Sequence, residues 1–311
     1  MVQPTPRDKG YHTPVMVDET VSWLETAAHG WIVDGTFGGG GHSRALLDRY
    51  DDVRIIGLDR DPDAVANAFT DDRLFVIGAN YRDIGAVLDD PLFPDVVDGI
   101  LLDLGVSSHQ LDVADRGFSY HTAGPLDMRM GPDANRSVGE LINTESEDEL
   151  ARILRTYGEE RFARRIAGAI VANRPFSTTT DLASCVTDAV PAPARRAGHP
   201  ARRTFQALRI AVNDELNALS EFMATGIDTL AVGGRLVVMS YHSLEDRIVK
   251  RALTKRSTTC TCPPDLPTCV CGASPDFVLL TRKAIKPSQQ EIEENQRSRS
   301  AVMRVAERIS A

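Results

Sequence analysis

The chain has 311 residues, 42% of them apolar and 25% charged, and a net charge of −9. This composition fits one large globular domain or two smaller ones; no apolar run approaches the roughly 20 residues that span a bilayer, and the acidic balance argues against a generic polyanion binder. Four of the five cysteines crowd between Cys260 and Cys271, unlike a secreted disulfide framework, and residues 1–10 read as a polar, disordered tail without a signal core, so the chain is expected to be cytoplasmic, with no membrane partner.

In chain order, Asp18–Leu24 reads as a short helix. Trp31–Asp34 is then a buried strand, followed by a turn that contains four consecutive glycines, Gly38 to Gly41. Four missing side chains carry a high entropy cost, so backbone is expected to pass close to something there. A helix His42–Tyr50 leads to a second strand, Val53–Leu58, ending at Asp59. Pro62–Phe69 starts another helix, Leu74–Ile77 is a third strand, Asp83–Leu88 a short helix, and Val97–Leu102 a fourth strand ending at Asp103. Strands alternating with helices predict right-handed βαβ units in a parallel sheet, and ligands on such sheets sit at the carboxyl ends of the strands. Asp34, Asp59 and Asp103 are all predicted at such ends.

From about residue 112 to 210 no strand is evident. Thr144-Glu145-Ser146-Glu147 reads as a capping box; its helix is expected to reach Tyr157 and to resume over 159–172. Thr180 is placed as the cap of a helix that Pro191 stops. Phe205, Leu208, Val212, Leu216, Leu219 and Met223 keep a 3–4 spacing, which predicts one long amphipathic helix. Arg235–Tyr241 then resumes the sheet. The expected organisation is a discontinuous α/β domain, residues 11–111 and 211–311, with a helical domain at 112–210. Residues 152–209 hold 11 arginines, no lysine and 4 acidic residues, a net of +7 that leaves −16 for the rest. Arginine suits phosphates and stacked bases. Arg161, Arg164, Arg165, Arg202 and Arg203 are candidate nucleic-acid contacts, and Arg247, Lys250 and Arg251 could extend that surface.

The glycine turn fails the dinucleotide fingerprint, which needs glycines at positions 1, 3 and 6. From Gly38 the sixth position is Ser43, and from Gly35 the third is Phe37. A phosphate-binding loop would need a lysine where His42 stands. What remains is an acidic strand end, a glycine loop and a helix start, a set that suits a zwitterion: backbone N–H groups for its carboxylate and Asp34 for its ammonium. Asp59, 18 residues beyond Gly41, stands where a carboxylate accepts both hydroxyls of a ribose. These features fit S-adenosylmethionine better than a nicotinamide cofactor. Against an NAD-dependent oxidoreductase stands also the absence of lysine four residues after Tyr241, where Glu245 is found. A non-catalytic ribosome-assembly or RNA-binding protein would not need the cofactor loop.

Longer motifs point further. DGTFGGGGHS from Asp34, GLDRDP from Gly57, DGILLDLGVSS from Asp98, RGFSY from Arg116, GPLDMRM from Gly124, YGEERFARRIA from Tyr157, HPARRTFQALRI from His199 and SYHSLEDRIVK from Ser240 resemble the bacterial small-subunit ribosomal RNA cytosine-N4 methyltransferases, the MraW/RsmH family. The resemblance runs from about Tyr11 to Arg308. It implies a Rossmann-like class I methyltransferase with an inserted all-helical domain that moves a methyl group from S-adenosylmethionine to the exocyclic amine of one cytidine in the decoding centre of 16S RNA. The partner would be the 30S subunit, with a homodimer left open. At matching positions Gly40, Gly41 and His42 would line the cofactor, Asp59 would hold its ribose, Tyr81 would sit beside its adenine, and Asp103 and Gln110 would complete the pocket.

A cytosine amine is a poor nucleophile, because its lone pair is delocalised into the ring. It must be oriented toward the methyl group and offered an acceptor for the charge developing on nitrogen. Asp103 is the first candidate for that acceptor. His242 is the second, as proton acceptor after transfer, with an N-cap contact to the helix starting near Ser243 as its structural alternative. Cys260, Cys262, Cys269 and Cys271 could bind Zn²⁺; a reduced loop or a labile disulfide would account for them as well.

Overall fold

Apolar runs that end in aspartate become the strands of one sheet. In the computed structural model, which describes residues 14–260, 262 and 274–310, these are β1 (Trp31–Asp34), β2 (Arg54–Asp59), β3 (Leu74–Gly78) and β4 (Val97–Asp103). β5 (Leu230–Ser240) joins them in parallel, and β6 (Phe277–Leu279) and β7 (Val302–Arg308) follow. The order is β3-β2-β1-β4-β5-β7-β6, with β7 antiparallel to both of its neighbours. The tail expected over residues 1–10 lies outside the described residues.

Alternation divides the sheet's side chains between two cores. Val33, Ile56, Leu58, Ile100 and Leu102 pack on one face, and Ile32, Ile55, Leu101, Val237 and Met239 on the other. The register pairs Asp34 with Gly57 and with Leu101, so β2 and β4 each run two residues further before reaching Asp59 and Asp103. The chain leaves β1 toward β2 on one side and later inserts β4 on the other. That reversal of strand order is where such sheets form a ligand crevice.

The chain divides into two units, Met1–Gly105 with Asn217–Ala311, and Val106–Leu216. The second is helical. Its core gathers Leu141, Leu150, Leu154, Ile166, Ile170, Leu182, Val186 and Leu208 from helices Val138–Thr144, Glu147–Gly158, Ala163–Ala172, Thr179–Ala189 and Arg202–Asn213.

Three local expectations change here. Ser146, not Thr144, caps Glu147–Gly158 by accepting from the Glu149 N–H; Thr144 ends the preceding helix, its hydroxyl donating back to Glu140 O. Thr178 rather than Thr180 caps the helix before Pro191. The single long helix is two, Arg202–Asn213 and Glu215–Ala224, separated by Asp214 at φ 53°. The break is held from inside, because the Asn213 amide donates to Met128 O at 2.7 Å and its Oδ1 accepts from Met130 N at 2.8 Å. Hydrophobic spacing continued across the break and hid it.

Candidate active site

The carboxyl edge of the sheet unit brings Asp59, Asp34 and Asp103 onto the adjacent strands β2, β1 and β4. Asp34 is 1% exposed. One of its oxygens accepts from Ser43 Oγ at 2.7 Å and the other from Thr36 N at 3.4 Å. It thus pins both ends of the glycine turn, which differs from its expected exposure to a ligand ammonium. Burial raises its pKa above the ordinary carboxylate range.

The four glycines serve different ends. Gly40 is left-handed at φ 69°, and a Cβ there would sit 2.6 Å from the Phe37 ring. A Cβ on Gly41 would meet Pro14 at 2.5 Å. These two positions make room for protein, and what they turn toward a ligand is backbone. Gly38 donates its N–H to Asp59 Oδ2 at 2.7 Å, while Asp61 N donates to Asp59 Oδ1 at 2.8 Å. Both oxygens of Asp59 are thereby oriented, each with a lone pair to spare for a hydroxyl. Burial pushes Asp59 up to about 6 against these two hydrogen bonds.

Asp103 is held from three sides. Its N–H donates to Thr36 Oγ1 at 2.6 Å, and Oδ1 accepts from the Tyr241 hydroxyl at 2.7 Å. Oδ2 faces His42 Nδ1 at 3.9 Å. His42 Nε2 lies 2.9 Å from Val15 O and must carry the proton there, because a carbonyl only accepts. The ring therefore presents Nδ1 to Asp103. Burial raises the Asp103 carboxyl above its ordinary range, with His42 and the Tyr241 bond opposing. Burial, then the Asp103 charge, pushes the Tyr241 phenol far above its usual value, so it stays protonated and donates.

Tyr241 is a participant that sequence reasoning missed; it lies 138 positions from Asp103, and only the pairing of β4 with β5 joins them. Glu245 holds it in turn, since Tyr241 N donates to Glu245 Oε2 at 2.7 Å.

His242 is the N-cap of helix Ser243–Ser257. Its Nδ1 accepts from Glu245 N at 3.4 Å, and Nε2 lies 3.1 Å from Glu245 Oε1 without hydrogen-bond alignment. Both ring nitrogens thus face Glu245, and the structural alternative accounts for their contacts.

Tyr81 follows β3, its ring edge-on to Phe222 at 5.7 Å. Gln110 belongs to the helical unit, where it is buried and closes the capping box of helix Ser108–Asp112. Cys260 and Cys262 are described, with Cys262 N donating to Cys260 Sγ at 3.4 Å, but Cys269 and Cys271 lie outside the described residues.

The sequence model of the MraW methylase family matches residues 9–309. The chain belongs to this family. The ribosomal RNA small subunit methyltransferase H of Heliobacterium mobile is 48% identical over 309 residues, covering 96% of this chain and 99% of that protein. The protein of the same name from Carboxydothermus hydrogenoformans is 48% identical over 307 residues, covering 96% and 98%. A putative rRNA-methylase structure from Clostridium thermocellum covers 96% of this chain and 98% of its own at 11% identity and a TM-score of 0.42, too slight a likeness to add to the assignment.

The methyl donor of this methylase is S-adenosylmethionine. The residues present fit it: an oriented pair of acceptor oxygens on Asp59, backbone at the start of helix Gly41–Arg49, and an aromatic ring just past β3. No helix among the described residues is long and apolar enough to cross a membrane.

Proposed function

We propose that this methylase transfers the methyl group to the exocyclic N4 amine of a cytidine in the decoding centre of small-subunit ribosomal RNA; the names of its relatives support small-subunit ribosomal RNA as the substrate, and the motif resemblance supports the cytidine amine. Asp103 carries this reading: it is a half-buried carboxylate fixed at one oxygen by Tyr241 and open to a hydrogen-bond donor at the other.

S-adenosylmethionine supplies an electrophilic methyl group when bound. The chain's residues do the rest. Asp59 would hold the ribose hydroxyls and Tyr81 would flank the adenine. Asp103 accepts an N–H of the amine, which orients the nitrogen lone pair and stabilises the positive charge that grows on it. As the new carbon–nitrogen bond forms and the carbon–sulfur bond of the donor breaks, its electron pair staying on sulfur to give a neutral thioether, the amine proton passes to Asp103 Oδ2. Burial favours this, because a carboxylate with a raised pKa is the better base. The Tyr241 hydrogen bond and His42 oppose the upward shift that burial imposes on Asp103. His242, expected as a second proton acceptor, acts through Glu245, which its ring faces and which holds Tyr241.

The target base must leave its stack to reach such a carboxylate. The exposed arginines of the helical unit offer contacts for RNA phosphates.

Asp103→Ala is expected to abolish methyl transfer while the protein still folds and binds S-adenosylmethionine by calorimetry. Wild-type activity in that variant would sink the proposal. A non-catalytic RNA-binding protein would bind RNA and show no cofactor binding at all.

A further inference from the structure

The helical unit carries a stack of three rings: Tyr120 is half-buried against the core, and the two imidazoles beside it are exposed. Tyr120 stacks on His199 at 4.6 Å between centroids and 25° between planes, and packs on His121 at 4.4 Å. His121 and His199 lie 5.3 Å apart. Tyr120 is anchored from below, edge-on at 5.6 Å to Phe205, which belongs to the buried core. The two imidazoles above it are exposed. His199 is fixed as well, because its Nδ1 accepts from Ala201 N at 3.2 Å. Holding rings in solvent orders side chains with little apolar burial in return.

The two chain segments involved are of one sign. The segments that carry the rings, residues 116–125 and 192–203, contain Arg116, Arg195, Arg196, Arg202 and Arg203 and not a single aspartate or glutamate. Some of these arginines serve the fold: Arg195 donates to Val190 O and Arg203 to Glu159 O. The side chains of Arg196 and Arg202 are exposed and make no hydrogen bond or ion pair among the described residues.

We propose that Tyr120, His121 and His199 form a stacking platform for an unpaired nucleobase of the RNA, with Arg196 and Arg202 taking the phosphates on either side. The proposal rests on the reading of this protein as an RNA methyltransferase and adds where a base other than the target is held. Exposed π-faces beside arginines are the usual means of gripping single-stranded RNA, since every base has a face to stack and phosphates supply the charge. Burial, and then the neighbouring His121, holds His199 below the ordinary histidine range. A ring that loses its proton more readily costs less to desolvate when a base stacks on it.

The test uses the full chain and a fluorescent single-stranded RNA oligonucleotide, with the same RNA annealed into a duplex as the control for phosphate contacts. The double variant His121→Ala/His199→Ala is expected to bind the single strand about five- to hundredfold more weakly, as loss of a stacked base implies, and the duplex as the wild type does. His121→Phe/His199→Phe, which keeps the faces, is expected to retain single-strand affinity. Unchanged single-strand binding in the alanine variant, equal loss on both RNAs, or a phenylalanine variant as weak as the alanine one would each overturn the platform. Cofactor affinity of each variant checks its fold. Methyl transfer by the wild type to small-subunit RNA is measured separately, so a failed platform leaves the enzymatic reading standing and the reverse is equally visible.

Discussion

The two units treat their charges in opposite ways. At the strand ends of the sheet unit Asp34 is buried and Asp59 and Asp103 are half-buried, and loss of solvent raises all three. In the helical unit Arg129 and Arg152 pull Asp127 and Glu149 below the ordinary range through direct hydrogen bonds. The signs of the stability effects differ accordingly. A carboxyl raised in the folded state favours folding below its unfolded pKa and loses that contribution as pH rises through the folded value, about 6 for Asp59. The strand-end acids therefore weigh against the fold at neutral pH. The lowered acids of the helical unit contribute stability above their unfolded pKa and lose it as pH falls. A fold that retains three costly carboxylates on adjacent strands retains them for chemistry, whereas the arginine pairs of the helical unit hold a surface in shape.

Changes that break this contrast should rank by how close they come to the reacting atoms. Asp103→Asn keeps the shape but removes the base, and single-turnover methyl transfer is expected to fall about a thousandfold or more. Asp59→Asn acts on cofactor binding instead. Replacing a charged acceptor by a neutral one should weaken S-adenosylmethionine about ten- to hundredfold by calorimetry, with little change in rate at saturation. In the wild type the same affinity should decline as pH drops below about 6, because the acceptor becomes protonated. Tyr241→Phe is milder: about a tenfold loss of rate. It also removes a bond that lowers the Asp103 pKa, so the acid limb of the pH–rate profile should move to higher pH; an unmoved limb would separate Tyr241 from Asp103. Charge reversal at Arg202 and Arg203 should weaken RNA binding and flatten its salt dependence by about one unit of slope for each phosphate left unneutralised, leaving cofactor affinity intact. Equal loss of both would mean misfolding, a real concern at Arg203 because it ties down Glu159 O.

The strands that carry the site were legible because each is an apolar run closed by an acid, and β1 was placed to the residue, Trp31–Asp34. β7 gave no such signal. Its Arg304, Glu307 and Arg308 look like a solvated tail until Arg304 meets Asp246 at 2.6 Å. The glycine turn announced itself but not its reasons, since the need for Gly40 comes from Phe37 and Phe69 across space. Asp103 could be picked out by its strand end, whereas the hydroxyl that fixes it could not, because hydrogen bonds between distant residues leave no periodicity. Arginines counted along the sequence overstated the free charge: Arg152, Arg174, Arg195 and Arg209 are engaged by Glu149, by backbone carbonyls and by Glu215.

The most direct measurement follows labelled methyl from S-adenosylmethionine into isolated small ribosomal subunits and into naked RNA, with the modified nucleoside identified by mass. Label recovered as N4-methylated cytidine, dependent on Asp103, is the predicted result. Label on a ribose, on a ring carbon or on another base would contradict the role given to the Asp103 carboxylate.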